Sequence, residues 1–273
     1  MAQRLVRARR KIDVARIPYR VPADEELPER LGGVLAVLYL IFNEGWSASG
    51  GDRLVRGELC DEAIRLARML LRLMPDEPEV GGLLALMLLH DSRRAARVDR
   101  HGALVLLEDQ DRTLWDRGRI REGERLLEAA LARGSVGPYQ LQAAIAALHA
   151  TAPSVEATDF AQIAALYELL ARVAPAPVVE VNRAVAVGRA HGAAAGLAVL
   201  APVLAGGELD GYAPLHAAHA DLLERAGDAD GAQLAWERAA ACAGNDVART
   251  ALQLNCAGTC APPRPSRPPA RSR

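Results

Sequence analysis

The chain has 273 residues, 51% of them hydrophobic and only 4% aromatic, with a formal net charge of −1. That is enough to bury a sizeable core, and with so few aromatics Leu, Val, Ala and Ile must fill it, which suits helices better than strands. The small net charge hides an asymmetry: residues 1–17 carry +5, residues 257–273 carry +4, and the body between them −10, which argues against a nucleic-acid groove in the body.

Residues 1–17, MAQRLVRARRKIDVARI, read as a short basic helix with Leu5, Ala8 and Ile12 on one face. Arg4, Arg7, Arg9, Arg10 and Lys11 around it are the candidate phosphate contacts. Pro18, Pro22 and Pro28 punctuate residues 18–30, an expected extended linker. The longest apolar run, Leu31 to Phe42, spans 12 residues, too few to cross a bilayer, and reads as a buried helix ending near Gly45. ELCDEAIRLARMLLRLM is an amphipathic helix stopped by Pro75, and another helix runs from about Pro78 through His90 to Val98. Further helices are expected at 114–133, 138–150, 159–173, 178–189, 194–204, 212–226 and 229–242, with short Gly- or Pro-bearing connections typical of antiparallel pairs.

A weak repeat supports that reading. Ala220 and Leu223 precede the turn Gly227–Asp228, and Ala232, Trp236 and Ala239 follow at spacings of four and three, the tetratricopeptide pattern of small contact positions and one large filler. Ala194, Ala198 and Ala201 are the expected equivalents one unit earlier. The expected fold is all-α: a right-handed stack of antiparallel helix pairs over residues 31–255, with a detached basic helix and a disordered Pro/Arg-rich tail at 256–273. With no secretory leader at the start, Cys60, Cys242, Cys256 and Cys260 are expected as free thiols in a cytoplasmic protein.

The polar block Glu108, Asp109, Gln110, Asp111, Arg112, followed by Trp115, admits two readings. Either Glu108, Gln110, Asp111 and Trp115 line a groove, or Asp109 or Asp111 caps the helix that Trp115 anchors in the core. Other apolar helices carry polar interruptions at Asn43, Glu44, His90, Asp91, Gln142, His149, Asn182 and Arg183. These are either hydrogen bonds that fix the register of the stack or the walls of one shared polar cavity. No nucleophile elbow, HExxH or phosphate loop is present, so catalytic residues, cofactors and metal ligands are not expected. His216 and His219 read as packing residues.

The set LYLIFNEGWSAS, LCDEAIRLARMLL, PDEPEVGGLLALMLLHDSRRAAR, LLEDQDRTLWD, GPYQLQAAIAALHA, ATDFAQIAALYELL and PVVEVNRAVAV resembles bacterial extracytoplasmic-function sigma factors of the sigma-70 superfamily that carry a tetratricopeptide-like C-terminal extension. The resemblance runs from about Ala2 to Gly244 and implies that AQRLVRARRKI is the end of DNA-binding region 4. It implies RNA polymerase core and promoter DNA as partners of the full-length family. Region 2 and a complete helix-turn-helix have no counterpart here. The expected function is therefore a regulatory extension that controls transcription initiation by gripping a protein or peptide partner, without catalysis and without a membrane. The alternatives are a free-standing helical scaffold for a peptide, and a small-ligand-binding or hydrolytic protein using a polar cavity.

Overall fold

The computed structural model describes Val14, residues 27–51 and residues 53–258. The candidate phosphate contacts Arg4 to Lys11, most of the 18–30 linker and the tail beyond residue 258 lie outside the described residues. Those described form eleven α-helices, two single-turn 3-10 helices and one isolated antiparallel bridge, Val98 with Leu104, with no named strand among them. The fold is all-α, a stack of packed helices. Chain contacts group residues 1–37 and 38–273 as two units, dividing the chain within the first helix rather than at the expected boundary of 30 and 31.

The first helix, α1 (Leu27–Trp46), begins inside the expected linker. Pro28 stands in its opening turn, where a missing N–H breaks no helical bond. Nor is α1 buried all round: Leu31, Leu35, Leu38 and Phe42 are buried, whereas Val34, Val37 and Leu40 are exposed. With no charge along the run to mark the outward side, its sequence period does not reveal that stripe.

The larger unit is built around α3 (Pro78–Asp91), in which every residue from Val80 to Leu89 is buried. It packs against α2 (Gly57–Leu73), α4 (Arg117–Leu131) and α5 (Pro138–Thr151). A Cβ on Gly82 would lie 2.9 Å from the backbone nitrogen of Gln140, so α3 and α5 meet almost backbone to backbone. The helix stops at Asp91 rather than running on to Val98: the Ser92 hydroxyl donates to the Leu89 carbonyl, and a 3-10 turn (Arg94–Ala96) follows. Onward, α6 (Phe160–Val173), α7 (Pro177–His191), α8 (Ala193–Gly206), α9 (Ala213–Ala226), α10 (Ala229–Cys242) and α11 (Asp246–Gly258) each pack on the next.

The α9–α10 pair has the expected register. Gly227 closes α9 at φ +86°, Asp228 caps α10 by accepting from the Gly231 N–H at 2.9 Å, and Ala220, Ala232 and Ala239 are fully buried around Trp236. One unit earlier the expectation is two positions out. Ala194, Ala198 and Ala201 are exposed, and the contacts fall to Gly196 and Leu200. A Cβ on Gly196 would come within 2.9 Å of the Gly188 Cα and 2.7 Å of the Ala184 carbonyl oxygen, so α7 and α8 cross on a pair of glycines. An alanine-rich helix offers several registers of equal hydrophobicity, and this backbone approach selects among them.

The two ends of the larger unit meet. Asn245, buried, donates to the carbonyls of Gly51 and Arg53 at 3.2 and 3.1 Å and accepts at Oδ1 from the Val247 and Ala248 N–H groups at 2.9 and 3.2 Å. One amide thus caps α11 and pins it to the loop after α1. Gly244 reaches the same loop, since a Cβ there would lie 2.8 Å from the Ser49 carbonyl. Replacing Asn245 by Ala should lower the unfolding free energy by about 2 kcal/mol, from a lost cap and lost hydrogen bonds. Trp236→Ala should lower it by about 3–5 kcal/mol as a large-to-small core change. Urea titration checks both, and a loss below about 1 kcal/mol for Trp236→Ala would contradict its place in the repeat.

Candidate functional site

The polar block lies on the chain that leads from α3 to α4. The loop turns at Asp99, whose Oδ1 accepts from the His101 and Ala103 N–H groups at 2.8 and 2.9 Å. Buried Gln110 donates to the Val105 carbonyl at 3.1 Å. Asp111 caps a 3-10 turn (Arg112–Leu114), accepting from the Thr113 N–H and hydroxyl. The cap of α4 is Asp116, which accepts from Gly118 and Arg119, not Asp109 or Asp111. Trp115 is the core anchor, 3% exposed. Both readings of the block therefore apply in part: Asp111 caps a turn, Gln110 ties the loop, and Glu108 is the one of the four groove candidates that faces a groove, while Asp109 lines a separate hollow beside α11.

That groove is an open cleft of about 360 Å³ between this loop and α5, α6, α7 and α9. Leu106, Leu107, Val155, Phe160, Tyr167 and Val185 give it an apolar wall, and His149, Asn182, Glu108, Arg189 and Asp221 supply polar groups. Arg189 donates to Glu108 at 3.0 Å and lies 5.6 Å from the Phe160 ring centroid. The lining contains no Ser, Thr, Cys or Lys. Of the candidate cavity residues, Glu108, His149 and Asn182 converge here.

A second cluster surrounds Trp46, at the end of α1. The guanidinium carbons of Arg93 and Arg97 lie 5.1 and 4.4 Å from its ring centroid, and the His90 ring 5.9 Å. Burial, then Arg93, Arg97 and His149, hold His90 far below the usual histidine range, at about 3. Burial, then Arg93, Arg112 and Arg189, hold His149 at about 4. Burial and neighbouring arginines lower Arg93 to about 9; burial lowers Arg97 to about 10.

Of the two readings of the polar interruptions, the single shared cavity does not hold: Glu108, His149 and Asn182 meet at the cleft, His90 stands beside Trp46, and the remaining candidates serve the structure locally. Glu44 accepts from Arg56 at 3.0 Å and from the Ser49 N–H, bracing the loop after α1. Asn43 lies close enough to the Tyr39 hydroxyl to oppose the upward shift that burial gives it, and Gln142 accepts from Tyr39 at 3.4 Å while donating to the Pro138 carbonyl. Asp91, 2% exposed, is paired with Arg94 and Arg119. Arg183 pairs with Glu180 on its own helix at 2.6 Å. His216 is buried, its Nε2 2.8 Å from the Asp210 carbonyl. A polar residue in an apolar helix must find a partner, and here the partners are a turn away, in an adjoining loop or on one neighbouring helix rather than across a shared cavity. Sequence reasoning missed Trp46, Arg93, Arg97, Phe160, Tyr167 and Arg189. The one legible signal was the arginine pair one turn apart in SRRAAR, next to an entirely apolar helix.

Residues 30–131, from α1 through α4, match a family of unknown function (DUF6596). The chain is also 48% identical, over 257 residues and 93% of its length, to the uncharacterized protein R00370 of Rhizobium meliloti (strain 1021). It spans 60% of that protein's length. No solved structure matches the chain. The matched family segment contains the whole Trp46 cluster, whereas the cleft draws most of its wall from α5 onward. No described helix is long and apolar enough to cross a membrane.

The histidines give the fold a pH dependence. Unfolded, both have a pKa near 6.5; folded, both stay neutral well below that. As pH falls the unfolded chain takes up protons first. The stability carried by the neutral rings is complete above about pH 6.5 and declines from there toward pH 4, by at most about 1.4 kcal/mol per pH unit for each ring. Denaturant titrations between about pH 7 and 4.5 should show this slope, and His90→Gln should remove about half of it. A flat profile in the parent protein would contradict the buried neutral rings.

Proposed function

We propose that the chain is a protein-interaction module, the regulatory extension of an extracytoplasmic-function sigma factor, which holds a segment of another protein or of the sigma factor itself in the Phe160/Tyr167 cleft and so controls transcription initiation. The observation that carries the reading is the cleft: an open groove with an apolar wall and a few polar hooks, the surface that stacked helix pairs use to grip extended or helical segments. Binding rather than catalysis is favoured because Glu108 is tied to Arg189, His149 is held neutral, and no hydroxyl, thiol or amine nucleophile of a Ser, Thr, Cys or Lys lines the groove. The sigma-factor assignment rests on the motifs from LYLIFNEGWSAS to PVVEVNRAVAV. The Rhizobium protein, longer than this chain, leaves length for further regions.

In this reading the basic segment, Arg4 to Lys11, touches promoter phosphates only as part of a larger DNA-binding unit. The chain alone should therefore yield no promoter-specific run-off transcript with core polymerase; specific transcripts would contradict an accessory role. In a sigma factor that carries this extension, Leu106→Arg at the cleft's exposed rim, or Asn182→Ala inside it, should change the yield from its own promoter severalfold at unchanged melting temperature. Equal yields from both variants and the parent would remove the cleft from the mechanism.

A further inference from the structure

Most arginines of the body reach a carboxylate. Arg56 meets Glu44, Arg68 meets Glu122, Arg133 meets Asp76, and Arg94 meets both Asp61 and Asp91. Arg93 and Arg97, on either side of Arg94, do not: among the described residues neither forms an ion pair. A guanidinium has five N–H donors. Arg93 uses one, in a 3.4 Å contact with His90 Nδ1, and Arg97 uses one, from Nε to the Trp46 carbonyl at 3.2 Å. Both side chains lie deep in the fold and keep partial access to solvent. A third cation lies within electrostatic reach of Arg93. Arg112 donates to the His149 and Ala152 carbonyls at 2.9 and 2.7 Å, its other terminal nitrogen is sealed without a partner, and its charge is felt at Arg93. Glu156 is the carboxylate that Arg112 senses, and it is exposed.

Trp46 explains how the arginines are held but not what balances them. Cation–π contact fixes two guanidiniums against one buried ring and supplies no counter-charge. Holding like charges together away from water is costly unless an anion joins them. His90 cannot supply one. It is neutral, and because its Nδ1 faces an Arg93 donor its proton sits on Nε2, which makes it one more donor.

We propose that Arg93 and Arg97, in the field of Arg112, form a binding site for a small phosphate-bearing anion. The valence selects phosphate over a single carboxylate. A carboxylate offers one charge and a planar pair of acceptors, enough for one guanidinium fork, whereas a phosphate dianion offers three or more acceptor oxygens in a tetrahedral array and balances two cations. The site draws on residues other than the cleft's hooks and stands whether or not the chain acts in transcription.

The test is melting temperature and tryptophan fluorescence, on the whole chain at constant ionic strength, with orthophosphate, pyrophosphate, ribose 5-phosphate and, as the carboxylate arm, glutamate. Saturable stabilisation with a fluorescence change is expected for the phosphates and not for glutamate; tighter binding of the sugar phosphate than of orthophosphate would identify an ester as the natural source. Arg93→Gln should abolish saturable binding. Arg97→Lys keeps the charge and loses the fork, and should weaken binding at least about tenfold. Arg65→Gln, at the exposed Arg65–Glu62 pair, should leave it unchanged. It also reports the general stabilisation that phosphate gives any fold. No saturable response to any phosphate, equal affinity for glutamate, or binding that survives Arg97→Lys undiminished would overturn the site. If Arg93→Gln does not fold, the Arg97→Lys comparison decides.

Discussion

The structure of the larger unit depends on one buried amide. Asn245 holds the start of α11 by accepting two backbone N–H groups and holds the loop after α1 by donating to two carbonyls. Those partners are almost two hundred residues apart in the chain, so this contact turns a linear series of helix pairs into a stack whose ends meet. The loop it grips is braced from the other side by Arg56, which reaches both Glu44 and the Gly50 carbonyl. What is fixed in this way is the end of α1, and with it Trp46. Trp46 in turn carries Arg93 and Arg97 on its ring and receives the Arg97 Nε at its carbonyl. The geometry of the basic cluster is therefore inherited from a contact that none of its members makes.

A second constraint is the distribution of charge around α3. An all-apolar helix can end in a buried aspartate only if cations meet it, and Asp91 is met by Arg94 and Arg119. Asp61 joins the same network from α2. This assignment leaves the neighbouring Arg93 and Arg97 facing the opposite way, toward Trp46 and His90, without a carboxylate among the described residues. Three arginines within five residues thus have different surroundings: Arg94 is neutralised by Asp61 and Asp91, whereas Arg93 and Arg97 meet no carboxylate among the described residues. The apolar cleft at Phe160 and Tyr167 differs again, since its one arginine is already paired with Glu108. The molecule thus has one open cleft with an apolar wall and, elsewhere, a pair of arginines on Trp46 with no carboxylate partner among the described residues.

The sequence by itself determined the elements. Ala/Leu-rich periodicity bounded by Gly and Pro placed the helices α4 to α10 within a few residues of their ends, because local backbone preference decides helix ends; α11, which runs into the expected disordered tail, was not among the expected helices. Gly227, Asp228, Ala232, Trp236 and Ala239 gave the register of the last pair for the same reason: turn chemistry and side-chain size act over a few residues. The polar block at Glu108 was legible as a cap in part, since Asp111 needs only Thr113 to be satisfied. Tertiary structure decided everything that requires two distant backbones. It chose Gly196 over the neighbouring alanines, because hydrophobicity is equal along α8 and only the crossing with Gly188 distinguishes them. It exposed one face of α1, where the apolar run carried no mark of its outward side. It also distributed Glu108, His149 and Asn182 to the cleft, and Glu44, Asp91, Gln110 and Gln142 to local bonds. A buried polar residue states in sequence only that it needs a partner, and which partner it meets depends on how the helices cross.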